Sequence, residues 1–313
     1  MTFINPKTDY AFKKIFASRD SKGILISFLN ATIYEGNPTI ADLEIIDPNL
    51  PPKIAGLKDS SLDVKAQLID GTLVIIEMQV LNVESFGKRV LYNAAKTYAS
   101  QLQKGQGYRM LKPVIALTIT DFEMFKNSDR LISRFVYKET TTNIEYTDNN
   151  IELVFVELPK FTKELSQIET LTDKWIYFMK YANMLTQVPQ TMDVVPEIHQ
   201  AFDIANQVNL NPDELEALER QEQFIYDQQG VIIKANREGL EQGLEQGREE
   251  GRKEAMQAVA RELLDRLDDE TIGQTTGLSI EEISKRSGIC DRRKFSRISH
   301  CKMLYIAAHI PTI

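Results

Sequence analysis

Residues 62–80, LDVKAQLIDGTLVIIEMQV, predict two strands joined by a tight turn, and this hairpin is the strongest indication of the fold in the sequence. The length of the turn sets which residues face each other. A two-residue turn at the DG pair would place Asp63 opposite Met78. A three-residue turn that ends in a left-handed Gly71 places Asp63 opposite Glu77 instead.

The hydrophobic pattern chooses between these two registers, because strand side chains alternate between the two faces of a sheet. With the three-residue turn, one face is apolar throughout and carries Leu62, Val64, Ala66, Leu68, Val74, Ile76, Met78 and Val80. The other face carries Asp63, Lys65, Gln67, Glu77 and Gln79, with Leu73 and Ile75. The sequence therefore predicts the three-residue turn, with Asp63 and Glu77 side by side on the polar face.

A pair of carboxylates at this position favours a metal site. Residues opposed on neighbouring strands lie roughly 5 Å apart between Cβ atoms, so Asp63 and Glu77 would repel each other without a cation between them. Hard oxygen ligands with room for water suit Mg²⁺ or Mn²⁺. An ordinary amphipathic hairpin with a solvated polar face has the same pattern, and the hairpin alone leaves both interpretations open.

Further motifs connect the hairpin to a known family. Asp63 followed by Glu77-Met78-Gln79 looks like the D…(D/E)-x-K core of the PD-(D/E)XK nucleases, with Gln79 in the lysine position. The chain resembles, more closely, the recombination-promoting nuclease/transposase family of that superfamily, in order from residue 5 to about residue 285. The segments that carry the resemblance are TDYAFKKIF (8–16), LDVK (62–65), IIEMQ (75–79), RVLY (89–92), YASQ (98–101), GQGY (105–108), PVI (113–115) and ELPKF (157–161).

This resemblance implies a fold and a chemistry. The fold is α/β, a restriction-endonuclease-like mixed sheet flanked by helices and followed by a helical C-terminal extension. The activity is that of a DNA endonuclease that depends on Mg²⁺ or Mn²⁺ and acts in recombination or transposon-like mobility. Asp63, Glu77 and the backbone carbonyl of Met78 would be the metal ligands, and Asp63, Glu77 and Gln79 the catalytic residues.

Gln79 departs from the commonest pattern, because glutamine orients water only by hydrogen bonding and carries no charge. Lys65, on the same face as Asp63, would supply a charge or is a solvated surface lysine. Asp9 would be a third carboxylate at the metal, or an N-terminal charge that complements the helix dipole. Arg89 and Tyr92 lie on the polar side of a predicted helix, where they would contact DNA phosphates or support the site.

Composition sets the remaining expectations. The 313 residues are 42% hydrophobic and 26% charged, which is typical of a soluble globular protein. The formal charge is −8, yet residues 1–112 carry 14 Lys/Arg against 11 Asp/Glu, and residues 113–234 carry 10 against 20. The cationic half therefore holds the hairpin, which favours DNA as a partner. The chain lacks a signal-peptide pattern, a membrane span and structural disulfides, so a cytoplasmic location is expected.

The order of elements predicts a sheet with helices on both faces. Helices are expected at 9–16, 21–31, 82–104 and over much of 165–226, and strands at 40–46, 114–120 and 152–158, with a second hairpin at 135–146. We assign residues 1–229 to the nuclease-like domain, 230–285 to a Glu/Gly-rich helical extension with a small capped helix, and 286–313 to an unassigned basic and apolar tail.

Glycine recurs every four residues in the extension, at Gly239, Gly243, Gly247 and Gly251. Each interior glycine costs a helix about 1 kcal/mol relative to alanine, so an exposed spacer is one interpretation and a close-packed homo-oligomer seam the other. Two functions also remain open at this stage. The chain is a metal-dependent endonuclease, or a catalytically inactive DNA-associated or self-assembling module that keeps the nuclease fold.

Overall fold

The structure is a computed structural model that describes residues 2–50, 60–148 and 150–286. The chain divides into two compact units, Met1–Gly230 and Val231–Ile313, and each is described by itself. The tail assigned to residues 286–313 lies, from residue 287 on, outside the described residues.

The helices and strands of the described chain follow the predicted order. The helices are α1 (Asp9–Phe16), α2 (Lys22–Ile33), α3 (Phe86–Ala99), α4 (Leu171–Tyr181), α5 (Gln190–Asp193), α6 (Pro196–Ala205), α7 (Pro212–Leu263), α8 (Asp269–Thr276) and α9 (Ile280–Arg286). The strands are β1 (Leu43–Ile46), β2 (Asn49–Leu50), β3 (Ser60–Ser61), β4 (Val64–Leu68), β5 (Leu73–Gln79), β6 (Val114–Thr120), β7 (Ile132–Phe135) and β8 (Ile151–Glu157).

Six strands form one mixed sheet in the order β1-β4-β5-β6-β8-β7. The neighbours β5, β6 and β8 are parallel, whereas the outer pairs are antiparallel. Every residue of β6 is buried, as its run of apolar and β-branched residues predicts for a central strand. The predicted α/β fold class is confirmed.

Helices cover both faces of this sheet. One face packs against α1, α2, α4 and α6, in a core where Trp175 contacts the rings of Phe16, Phe28 and Phe178. The Trp175 indole N–H donates to Ser27 Oγ at 3.0 Å, so the buried ring has no unpaired donor. The other face packs against α3 through Phe86, Val90 and Ala94. The site residues lie between these two layers.

Two predicted elements differ in extent from the structure. Helix α3 begins at Phe86 rather than at residue 82, because Ser85 adopts a left-handed φ of 66° and the preceding residues turn. It ends at Ala99, before residue 104. The hairpin predicted at 135–146 is reduced to a bridge between Lys138 and Glu145, with the Tyr146 N–H bonded to the Tyr137 carbonyl, and β7 pairs with β8 instead.

A buried carboxylate holds the loop that follows β6. Glu157, at the end of β8, is fully buried and pairs with Lys160 at 2.6 Å. Its Oε1 accepts the backbone N–H groups of Met124 (2.6 Å) and Phe125 (3.0 Å). Lys160 Nζ also donates to the carbonyl of Phe125 at 2.9 Å. These bonds tie the 122–128 loop to the sheet next to the start of α3.

In the second unit, α7 continues as helix through all four glycines, and a Cβ built on any of them would meet no atom within 4 Å. A small core of Ala260, Ile272, Leu278 and Ile283 joins the end of α7 to α8 and α9. The expected cap of the small helix is a capping box, in which the Ser279 and Glu282 side chains each accept the other residue's backbone N–H. None of the described helices is long and apolar enough to cross a membrane.

Candidate active site

The predicted turn and register of the hairpin are confirmed. Val64 pairs with Ile76, and the pairing continues to Gln67 and Leu73. The turn holds three residues between Leu68 and Thr72, whose backbones are bonded at 2.9 Å. Gly71 closes it with a φ of 89°, a conformation that glycine adopts without strain.

The chain bends at Asp63, one residue before β4. Extending the register by one residue sets Asp63 opposite Glu77, as predicted. The expected face of Leu62 is wrong, however: Leu62 packs with Ile75 and Phe86 on the α3 side, whereas Val64 packs on the α1 side. The bend breaks the alternation and turns the Asp63 carboxylate toward α1, so that it does not share the α3 face with Glu77.

The Asp63 carboxylate is held at the edge of β5. Its Oδ2 accepts the backbone N–H of Met78 at 2.7 Å, at the level where β4 no longer pairs with β5. Asp9 of α1 hydrogen-bonds the same carboxyl group, and Lys13 Nζ lies 3.8 Å from Oδ1. Burial raises the pKa of Asp63 to about 7; the Met78 N–H opposes this shift and the Asp9 charge adds to it. The structure thus brings Asp9 to Asp63.

Glu77 points to the other side, toward α3, and is only 9% exposed. Its Oε1 accepts from the Asn93 side-chain amide at 2.5 Å. Its Oε2 is buried without a hydrogen-bond partner, although Arg89 Nε lies 3.8 Å away. Burial raises the pKa of Glu77, while the Arg89 charge and the Asn93 amide lower it. A buried carboxylate oxygen with no donor is costly, unless a group not yet bound supplies the missing interaction.

Gln79 lies on the same face as Glu77, as predicted for residues two apart on a strand. Its Nε2 donates to the carbonyl of Leu81 at 2.7 Å, and its Oε1 accepts from Arg89 Nη2 at 2.5 Å. Arg89 therefore contacts both Gln79 and Glu77, with its guanidinium over the ring of Phe86 at 5.0 Å from the ring centroid.

Two supporting residues proposed from the sequence are placed elsewhere. Lys65 is paired with Ile46 and Ile75 in the strands, and burial lowers the pKa of its ammonium. In the described chain, neither Lys65 nor Tyr92 has a hydrogen bond or ion pair with Asp63 or Glu77. Asn93 is the contact that sequence reasoning missed. Its signal was a polar residue on the buried, otherwise apolar stripe of α3.

The oxygen atoms at the end of β5 fit a hard divalent cation. Glu77 supplies a carboxylate oxygen without a hydrogen-bond partner, and the Asp63 carboxylate lies at the same strand end but is turned toward α1. Because the N–H and C=O of a strand residue point the same way, the Met78 carbonyl faces the edge where its N–H meets Asp63. Among residues 2–50, 60–148 and 150–286, no group of three or more His, Cys, Asp or Glu side chains is arranged to hold a metal ion. The hard oxygen donors at this strand end therefore lie on both sides of the sheet, Asp63 toward α1 and Glu77 toward α3.

The raised pKa of Asp63 predicts a pH-dependent stability of the metal-free protein. Protonated Asp63 favours the folded state, so this contribution is fully present below about pH 4 and is lost as the pH rises through about 7. Lys13 and Asp9 are the charged groups that face it. At pH 8 with a chelator, Asp63→Asn should raise the unfolding free energy by more than about 1 kcal/mol, since one pKa unit equals about 1.4 kcal/mol. Urea unfolding at pH 5 and pH 8 measures this; an equal effect at both values would contradict it.

A cleft of about 560 Å³ opens beside these groups. Lys7 and Asp9 at the start of α1, residues 78–81 at the end of β5, and residues 217–225 of α7 line it. Lys7 pairs with Asp121 at 2.8 Å, which ties the start of the chain to the end of β6. Of the candidate site residues, Asp9, Met78 and Gln79 line this cleft, whereas Asp63 and Glu77 do not.

The mixed sheet flanked by helices agrees with the comparison against protein families. A search of curated proteins and a search of solved structures each gave no match. A family model described as PD-(D/E)XK nuclease family transposase matches residues 6–235, which is most of the chain. The chain belongs to the PD-(D/E)XK nuclease family transposases.

Proposed function

We propose that this protein is a divalent-metal-dependent DNA endonuclease that hydrolyses phosphodiesters in recombination or transposon-like DNA mobility. The observation that carries the proposal is the buried, unpartnered Oε2 of Glu77 at the strand end where Asp63 also lies. Family membership supports nuclease chemistry, and the position of the site on the parallel, buried part of the sheet gives it a rigid support.

Asp63, Glu77 and the Met78 carbonyl would hold Mg²⁺ or Mn²⁺. A divalent ion bound there would make its water more acidic and withdraw charge from a phosphate oxygen. Asn93 fixes one oxygen of Glu77 through its amide and leaves the other oxygen free to bind. The Met78 N–H orients Asp63 in the same way. A neutral donor thus orients each carboxylate, and the charged groups Lys13 and Arg89 lie at the longer distance of 3.8 Å.

The experiment that tests this function is nicking of supercoiled plasmid by the purified protein with Mg²⁺ or Mn²⁺. We expect the parent chain to nick and Asp63→Asn to lose at least about 100-fold in rate, since even an outer partner of a metal ligand is worth 10- to 100-fold. Asp148→Asn removes an exposed carboxylate elsewhere and should nick like the parent. Failure of the parent to nick across metals and salt concentrations would favour the inactive DNA-associated module.

We propose the same division of the chain as the sequence does: a nuclease-like domain at 1–229, an extension at 230–285 and a separate tail. Action in the cytoplasm and homo-oligomer formation through the Glu/Gly-rich helix are also proposals. The open space around the α7 glycines is compatible with a partner approaching that helix.

A further inference from the structure

The Gln79 amide is directed at protein groups. Its NH₂ donates to the Leu81 carbonyl and its oxygen accepts from Arg89. Because both ends of the amide are hydrogen-bonded to protein groups, Gln79 orients the Arg89 guanidinium. Gln79 could orient a water molecule only if that water displaced one of the two hydrogen bonds. The role of Gln79 in this structure is therefore to position the Arg89 guanidinium.

Arg89 is fixed on three sides and open on the fourth. Gln79 holds Nη2, the Glu77 carboxylate faces Nε, and the Phe86 ring lies under the guanidinium plane. No hydrogen bond from Nη1 is found in the part of the chain that the structure describes, and the side chain is 46% exposed. A guanidinium fork with one accessible edge matches the geometry of a phosphate.

Two other cations near the carboxylates, Lys13 and Lys7, are already paired. Lys13 binds Asp9 at 2.7 Å and faces Asp63, and Lys7 binds Asp121 at 2.8 Å. Arg89 has one anionic neighbour in the described chain, Glu77, at the longer distance of 3.8 Å. A cation in this state has both charge and donors left for a ligand.

We propose that Arg89 binds a non-bridging oxygen of the scissile phosphodiester, and that Gln79 is the positioning residue that orients its guanidinium. This inference rests on the proposed nuclease function and names the residue that contacts the substrate's phosphate. Charge on the phosphate oxygens increases as the nucleophile attacks, and a pre-oriented guanidinium stabilises that charge without having to reorganise.

Variants that remove the positive charge of Arg89, or move it to position 79, test the inference. Arg89→Ala should lower plasmid cleavage at least about 10-fold, and Arg89→Lys should lower it less. Gln79→Lys removes the acceptor of Arg89 and adds a like charge, so it should also lower cleavage. The double variant Gln79→Lys/Arg89→Ala places an ammonium beside Glu77 without that repulsion and should cleave faster than Arg89→Ala. Lys104→Ala, an exposed cation beyond α3, is the control and should cleave like the parent.

Mn²⁺ affinity, measured by calorimetry, separates phosphate binding from a structural role. Removing a cation near Glu77 should leave Mn²⁺ affinity unchanged or tighter, so loss of Mn²⁺ binding in Arg89→Ala would overturn the inference. Parent-like cleavage by Arg89→Ala would overturn this inference alone. Parent-like cleavage by Gln79→Lys would overturn the positioning role of Gln79, and a double variant no faster than Arg89→Ala would overturn the need for a cation at this place. A parent chain that does not cleave would overturn the proposed function and this inference with it.

Discussion

Replacing Glu77 with glutamine is expected to abolish Mn²⁺ binding and to lower plasmid cleavage at least about 100-fold. The substitution is nearly isosteric, and the glutamine oxygen can still accept the Asn93 amide that now bonds Oε1. What disappears is the negative charge and the free oxygen that a cation would bind. Calorimetric titration with Mn²⁺ and the nicking assay measure the two effects separately.

The loss should come without unfolding, because a buried carboxylate whose pKa is raised by burial is replaced by a neutral group. Glu44→Gln removes an exposed carboxylate on β1 and is the matched control, with parent-like binding and cleavage expected. Retention of the parent's Mn²⁺ affinity in Glu77→Gln would show that Glu77 is not a metal ligand.

Glu157→Leu is expected to destabilise the first unit by roughly 3 to 5 kcal/mol, the usual cost of breaking a buried ion pair. It leaves the Lys160 ammonium buried with one carbonyl partner, and it removes the acceptor of the Met124 and Phe125 N–H groups. Thermal unfolding should show a midpoint lower by roughly 10 °C, at 2–4 °C per kcal/mol.

Two further variants separate the loss of the Glu157 charge from the loss of its hydrogen bonds and compare it with an exposed ion pair. Glu157→Gln keeps an acceptor for the two N–H groups and loses only the charge, so its effect should be smaller than that of Glu157→Leu. Glu152→Gln breaks the half-exposed pair with Arg134 and should cost less than about 1 kcal/mol. If Glu157→Leu proved no more destabilising than Glu152→Gln, the Glu157 bonds would not be what holds the 122–128 loop.

The hairpin could be predicted from sequence because its information is local. One left-handed glycine fixes the turn length, and the alternation of apolar residues admits a single register. The buried strand β6 was equally readable, because no polar residue other than threonine interrupts its apolar run. The start of α3 could not be predicted, because nothing in the sequence indicates that Ser85 adopts a left-handed backbone conformation.

The environment of the carboxylates could not be read in the same way. Asp9 and Asp63 are 54 positions apart, and only packing of α1 on the sheet brings them together. The bend that moves Asp63 off the Glu77 face depends on β4 beginning only at Val64. Asn93 and Glu157 are polar residues inside apolar stripes, and such positions are where long-range bonds override the local pattern.

Asp63 also binds a backbone donor at the end of β5 that would otherwise be unpaired. An unpaired strand edge is a template on which another extended chain can add, and aggregation often begins there. At Met78 the donor on that edge is already bound by the Asp63 carboxylate, so a foreign strand would have to displace an acidic side chain before it could pair. One acidic residue thus closes the end of β5 to intermolecular sheet growth.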